Sequence, residues 1–146
     1  MTITKMCMDD YEGVYQLWIS TPGMGLNDVD DSYEGIKTFL LRNPNTCFIA
    51  KDNEKIVGVI MSGHDGRRGF IYHTAVATSY RHQGIASSLT KHACDALRNE
   101  GINKVALVVF KTNETGNGFW QQQGFYIRED LSYRNKALVD LVRLDT

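Results

Sequence analysis

The sequence predicts an α/β (α+β) fold: a mixed, mostly antiparallel central sheet of about seven strands with helices on both faces. Three observations predict it. The chain has 146 residues, enough for one domain with a sizeable core. Its patterning gives the order β-α-α-β-β-β-α-β-α-β-β. Consecutive hairpins followed by a strand–helix–strand crossover imply a mixed sheet covered by helices.

Each element has a local reason. Thr2–Met6 alternates and reads as a first strand. Asp9 and Asp10 can cap a helix running to about Ser20, with Val14, Leu17 and Trp18 on one face. Thr21–Asp30 is a loop rich in Gly, Asn and Asp. Asp31 with Glu34 resembles a capping box for a second helix. Ile36, Phe39 and Leu40 are its buried stripe, and Pro44 lies just past its end. Thr46–Lys51 and Ile56–Gly63 read as strands joined by a tight turn at Asp52–Lys55. Asp65-Gly66 signals another hairpin turn, and Gly69–Val76 is a β-rich run. From Gln83 to Asn99 the period is helical, with Ile85, Leu89, Ala93 and Leu97 four apart and Gly101 as the stop. Asn103–Phe110 is strongly apolar and is expected near the centre of the sheet. Asn113–Gln123 is ambiguous, because Gly116 and Gly118 weaken a helix that Phe119, Trp120 and Gln121–Gln123 favour. Gly124-Phe125 restarts a strand, and Lys136–Arg143 alternates like a final one.

Composition narrows the function classes. Sixteen Lys+Arg against seventeen Asp+Glu give a net charge of -1, no basis for bulk nucleic-acid binding. Hydrophobic residues at 42% and charged residues at 23% fit a folded domain. No apolar run approaches the ~20 residues of a membrane helix. The start, MTITKMCMDD, has no apolar signal core. A cytoplasmic protein without a membrane partner is expected. Cys7, Cys47 and Cys94 stand far apart and read as free thiols. No Cys/His cluster has metal-ligand spacing, so no metal is expected.

One stretch carries chemistry. It runs Val76-Ala77-Thr78-Ser79-Tyr80-Arg81-His82-Gln83-Gly84-Ile85-Ala86. A strand enters a short turn, then a helix whose start holds Arg81, Gly84 and Ala86. The first N–H groups of a helix lack intrahelical partners, and the helix dipole is positive there. Small residues let a phosphate approach those donors, and Arg81 adds a permanent charge. The pattern is neither a Walker A loop nor a dinucleotide G-x-G-x-x-G.

R-H-Q-G-I-A resembles the Q/R-x-x-G-x-G/A signature of the GNAT superfamily of acyl-CoA-dependent N-acetyltransferases. Ala75-Val76 and Tyr80 match its usual context. Downstream, Asn113, Gly116, Phe119, Trp120, Gly124 and Phe125 resemble the family's N-x-x-A-x-x-F-Y-x-x-x-G-F stretch. The strand–helix order agrees along nearly the whole chain, which reads as one such domain over 1–146. The GHDGRRG hairpin at Gly63–Gly69 also looks like one found in a bacterial subgroup.

The resemblance implies acetyl-CoA as co-substrate, bound where the fourth and fifth strands splay apart. The backbone around Val76 and Thr78 would pair with the pantetheine amides. Arg81 and the N–H groups from His82, Gln83, Gly84, Ile85 and Ala86, with Ser87 beside them, would hold the pyrophosphate. Asn113 would contact the pantetheine arm, and Phe119 and Trp120 would flank its thiol end. The implied reaction moves acetyl directly to a primary amine, with the Val76 N–H as the family-based oxyanion donor. Where many members have a tyrosine that protonates the thiolate, this chain has Trp120, whose indole is no practical acid. Tyr72, Tyr126 and Tyr133 are the phenols that could substitute.

For the base, Tyr72 and His73 lie on the strand leading into the glycine loop, on opposite faces by simple alternation. Parity with Thr74 and Val76 favours Tyr72 in the cleft, whereas histidine is the residue type that titrates near neutrality. His64 and Asp65 read as solvated turn residues, Trp18 as core, and Asp28, Asp30, Asp31 and Glu34 as a capped, solvated helix start that could attract a cation. The acceptor class is a small-molecule amine or a protein or peptide amine, and a homodimer is left open. A longer acyl-CoA, or a non-catalytic acyl-CoA-binding or regulatory module, are the alternative readings.

Overall fold

The computed structural model describes residues 1–145, and among them one five-stranded sheet and four α-helices. In chain order they are β1 (Thr2–Lys5), α1 (Tyr11–Ile19), α2 (Tyr33–Arg42), β2 (Phe48–Asp52), β3 (Lys55–His64) and β4 (Gly69–Val76). Then come α3 (Ile85–Asn99), β5 (Val105–Ala106) and α4 (Glu114–Gln122). The strands lie side by side in the order β1-β2-β3-β4-β5, antiparallel up to β4, with β5 parallel to it.

Helices cover both faces, as the strand–helix order predicts. Val14, Trp18, Ile36 and Leu40 from α1 and α2 pack on Ile49, Val59, Met61 and Ala75. On the other side Ile85, Leu89 and Ala93 of α3 pack on Ala50, Val57, Ile60, Ile71 and Val76. Strand β3 lies between both layers, so Val57–Gly63 are buried without alternation. A Cβ on Gly58 would come within 3.1 Å of the Ile85 and Leu89 side chains. Glycine there lets α3 sit close to the sheet.

Several expectations are corrected. Ser32, not Asp31, caps α2: its hydroxyl accepts the Gly35 N–H at 3.0 Å. Asp31 is 3% exposed and bonded elsewhere, so it is not part of a solvated helix start. The Asn103–Phe110 segment joins the sheet only through β5, at the edge rather than the centre. Val105 and Leu107 pack against the α3 layer while Val108 and Phe110 are exposed, so its apolarity reflects one covered face. The ambiguous segment is helical, because Asn113 caps α4 by accepting the Gly116 N–H at 2.9 Å.

The sheet has five strands rather than about seven. Neither Gly124-Phe125 nor Lys136–Arg143 forms a strand, and only an isolated bridge joins Arg143 to Asn27. Alternation marks a preference for a half-buried surface and supplies no neighbour. A two-residue β5 offers almost no edge on which further strands could extend the ladder. The segment's end binds the α1–α2 loop instead: Asp28 accepts the Val142 N–H, and Asp145 accepts the Met24 and Leu26 N–H groups. No helix among the described residues is long and apolar enough to cross a membrane.

Candidate active site

The turn after β4 exposes a run of unpaired donors. Tyr80 closes the turn by donating its hydroxyl to Asp52 at 2.7 Å. The Arg81 N–H still meets the Thr78 carbonyl at 3.3 Å. From His82 through Ser87, no N–H meets a protein acceptor among the described residues, until Ser88 N–H reaches the Gly84 carbonyl at 3.0 Å. His82 and Gly84 have φ of 62° and 80°, flanking Gln83 in ordinary geometry. Such alternation turns successive N–H groups toward one concave side, which suits an anion. A Cβ on Gly84 would meet nothing within 4 Å, so the cradle is open. Arg81, His82 and Gln83 are exposed around it, while buried Ile85 anchors the helix start. Ala86 is half-buried, and the exposed Ser87 accepts a hydrogen bond from Gln123 at 3.0 Å, tying α4 to α3.

Next to the cradle, the sheet opens. Strands β4 and β5 pair only at Gly69–Val105 and Phe70–Ala106. The Ala77 N–H bonds the Val57 carbonyl on β3 at 2.8 Å. In an antiparallel pair neighbouring residues point their N–H groups to opposite sides, so the Val76 N–H faces the open edge. The Val76 carbonyl accepts from Arg81 Nε at 3.3 Å, which holds that guanidinium beside the slot. Thr78 is exposed in the turn below. Phe119 and Trp120 are half-buried, with ring centroids 4.9 Å apart. Trp120 packs on Phe125 and the α3 core. Asn113 Oδ1 is engaged in capping α4.

A bulge in β4 overturns the expected parity of Tyr72 and His73. Met61 stands opposite Tyr72 and Val59 opposite Ala75, so His73 and Thr74 share one partner position. His73 takes the left-handed φ of 35°. Both side chains therefore reach the α1–α2 face. The Tyr72 ring packs edge-on to Phe39 at 5.7 Å and the His73 ring to Trp18 at 5.1 Å. Their own centroids are 6.4 Å apart. Val76 belongs to the opposite face, in the α3 core, so Tyr72 does not share its side.

His73 is firmly held. Its Nε2 lies 2.7 Å from Asp31 Oδ1, and the Trp18 indole donates to its carbonyl at 3.1 Å. Asp31 is fixed in turn: Oδ2 accepts the Asn27 N–H at 2.9 Å, and its carbonyl accepts the Tyr11 hydroxyl at 2.7 Å. Nδ1 of His73 has no partner among the described residues, and no buried side-chain nitrogen or oxygen there lacks one. Nδ1 is thus within reach of solvent. For Tyr72, burial pushes the phenol pKa up, reinforced by Tyr133 and Asp30. It remains a neutral O–H donor through the physiological range.

Sequence reasoning missed Asp31 and Trp18 as partners of His73. No local signal could have found them, since the contacts span 42 and 55 residues of chain. His64 is better bonded than a solvated turn residue: Nδ1 accepts the Gly66 N–H, and Nε2 lies 3.0 Å from Glu100. Tyr126 and Tyr133 are exposed.

Comparison with known proteins places the fold. The model of the acetyltransferase (GNAT) family matches residues 11–125. An acetyltransferase of Yersinia pestis (strain Pestoides F) is 28% identical over 140 residues, covering 96% of this chain and 98% of that protein. Ard1 from Thermoplasma volcanium superposes with a TM-score of 0.77 at 21% identity, over 87% of this chain and 83% of that one. PaiA N-acetyltransferase from Thermoplasma acidophilum, solved in complex with coenzyme A, gives 0.75 at 18% identity, over 88% and 91%. At such identities the two structures speak for the fold alone. The family match, however, spans the donor cradle, the open edge of β4 and the bulge together, and the chain belongs to the GNAT family of acetyltransferases.

Proposed function

We propose that residues 1–146 form one N-acetyltransferase domain that moves an acetyl group from coenzyme A to a primary amine, with both substrates bound together. One observation carries this reading: the unpaired N–H groups from His82 to Ser87 lie beside an unpaired stretch of β4. The first feature fits a diphosphate, the second an extended amide-bearing arm. Open space at Gly84 supports the fit.

In this reading Arg81, His82, Gln83, Gly84, Ile85, Ala86 and Ser87 grip the pyrophosphate. Val76 and Thr78 pair with the pantetheine arm, and Phe119 and Trp120 flank its thiol end. Asn113 acts on the arm through the position of α4, whose start it caps. Acetyl-CoA supplies an activated thioester. The amine must arrive neutral and within about 3–3.5 Å of the carbonyl carbon. Its nitrogen forms the new C–N bond as the C–S bond breaks. The charge growing on the carbonyl oxygen is met by the Val76 N–H. His73 Nδ1 takes the proton lost by the nitrogen, and the Tyr72 phenol gives one to the departing thiolate. The two protons then exchange with solvent, which restores both side chains. Tyr72 thereby fills the role that Trp120 cannot.

The test is thiol release from acetyl-CoA with spermidine and with short peptides bearing free α-amines, alongside calorimetric titration of coenzyme A. Turnover that tracks coenzyme A binding supports the reading. Binding without turnover of any amine would instead favour the regulatory module. Absence of binding would overturn the assignment of the cradle.

A further inference from the structure

We propose that Asp31 is a positioning residue that sets the tautomer of His73, so that the lone pair needed to take the substrate proton sits on Nδ1. The proposal rests on the base role of His73 given above. A carboxylate has acceptors only, so in the bond between Asp31 Oδ1 and Nε2, 2.7 Å long, the imidazole supplies the hydrogen. A neutral imidazole carries one N–H, which leaves Nδ1 unprotonated. Nδ1 is the nitrogen without a protein partner among the described residues. Side-chain exposures of 17% for His73 and 4% for Asp31 place the pair with one end open and the other sealed.

Asp31 is built for orientation rather than for solvent. Its side chain and its carbonyl are each bonded, by the Asn27 N–H and the Tyr11 hydroxyl, so the oxygen facing His73 cannot rotate away. Trp18, with no exposed surface, fixes the other end by bonding the His73 carbonyl. Capping does not explain Asp31, because Ser32 caps α2. The bulge brings His73 to this face at the cost of a left-handed backbone. Outliers of this kind persist only where the surrounding structure over-determines them, and they cluster at functional sites.

Asp31→Asn is the decisive variant. An asparagine can still accept the Asn27 N–H, yet it presents N–H donors to Nε2. The imidazole hydrogen is then driven to Nδ1, where it blocks the base. Three measurements follow: long-range proton–nitrogen NMR correlations of histidine-labelled protein, kcat with the best amine, and the coenzyme A dissociation constant. The wild type is expected to show the Nε2–H tautomer, and Asp31→Asn the Nδ1–H tautomer. kcat should fall about 100-fold or more, the range general-base loss produces, with coenzyme A affinity within twofold. In a His73→Gln background, Asp31→Asn should cost nothing further in kcat, because both act through one nitrogen.

An Nδ1–H tautomer in the wild type would overturn the proposal whether or not any variant folds. So would an unchanged tautomer in a folded Asp31→Asn, or an equal loss in the His73→Gln background. The NMR result needs no acceptor, so it separates failure of this proposal from failure of the acetyltransferase reading.

Discussion

Gly84 separates backbone strain from electrostatics, because two substitutions there rank in opposite orders. Its φ of 80° is left-handed, and a Cβ would meet nothing within 4 Å. Gly84→Ala therefore brings strain without a clash, ~1–2 kcal/mol. For a chain of this length that lowers the melting temperature by about 3–7 °C. Gly84→Asp is less strained, since aspartate tolerates this region better than alanine. Its carboxylate, however, enters the space where the proposal puts a phosphate. Two like charges about 5 Å apart repel by ~1 kcal/mol at the screening of water and ~3 kcal/mol at an effective dielectric near 20. Coenzyme A affinity should thus drop about 5- to 150-fold. High salt should recover part of the loss. Differential scanning calorimetry and isothermal titration at two salt concentrations test both orders. The alanine variant should melt lower than the aspartate variant yet bind coenzyme A more tightly. A folded Gly84→Asp that binds like the wild type would refute the cradle.

Tyr72→Phe keeps the ring contacts with Phe39 and Phe70 while removing an O–H that has no protein partner among the described residues. Stability should stay within about 0.5 kcal/mol while kcat falls at least about 10-fold. An unchanged kcat would remove Tyr72 from acid catalysis. Trp18→Phe deletes the donor to the His73 carbonyl inside a fully buried site. Urea unfolding should register a loss of ~2–4 kcal/mol, and kcat should suffer more than coenzyme A binding. Burial pushes the Cys47 thiol from 9.0 up to about 12. The folded protein therefore holds this proton longer than the unfolded chain does. Stability from this group is intact below pH 9 and declines between pH 9 and 12 by about 1.4 kcal/mol per pH unit. Cys47→Ala should be less stable than the wild type near pH 7, and the gap should narrow above pH 9 in parallel urea titrations.

What the chain makes legible is local. The run Gly69–Val76 is strand β4 over its full predicted length, because β-rich residues there end at turn signals on both sides. The Ile85, Leu89, Ala93, Leu97 stripe is buried as its spacing requires. Gly84 stands at the helix start in a left-handed conformation that glycine adopts far more readily than other residues. Illegible features depend on partners distant in sequence. Lys136–Arg143 has the alternation of a strand, but among the described residues its one ladder contact is the isolated bridge from Arg143 to Asn27. Asp31 with Glu34 has the form of a capping box, yet Ser32 is one residue nearer and takes the cap. That displacement is what leaves Asp31 for His73.

The bulge is the deepest of these. Alternation forbids Tyr72 and His73 from sharing a face, and on that rule only one could serve the site. An extra residue opposite Ile60 suspends the rule at this point. A left-handed histidine costs about 1–3 kcal/mol, so something must hold it there. The buried Trp18 indole bonds its carbonyl and the buried Asp31 carboxylate bonds its ring, two interactions on opposite ends of one residue. Each is worth about 1–3 kcal/mol when the alternative is an unsatisfied buried group. Together they offset the strain. The same contacts that make the bulge stable therefore hold the imidazole on the α1–α2 face of the sheet, where the Tyr72 phenol also lies. With His73 as the proposed base, folding and chemistry draw on one set of bonds, so loss of either bond to His73 should weaken both at once.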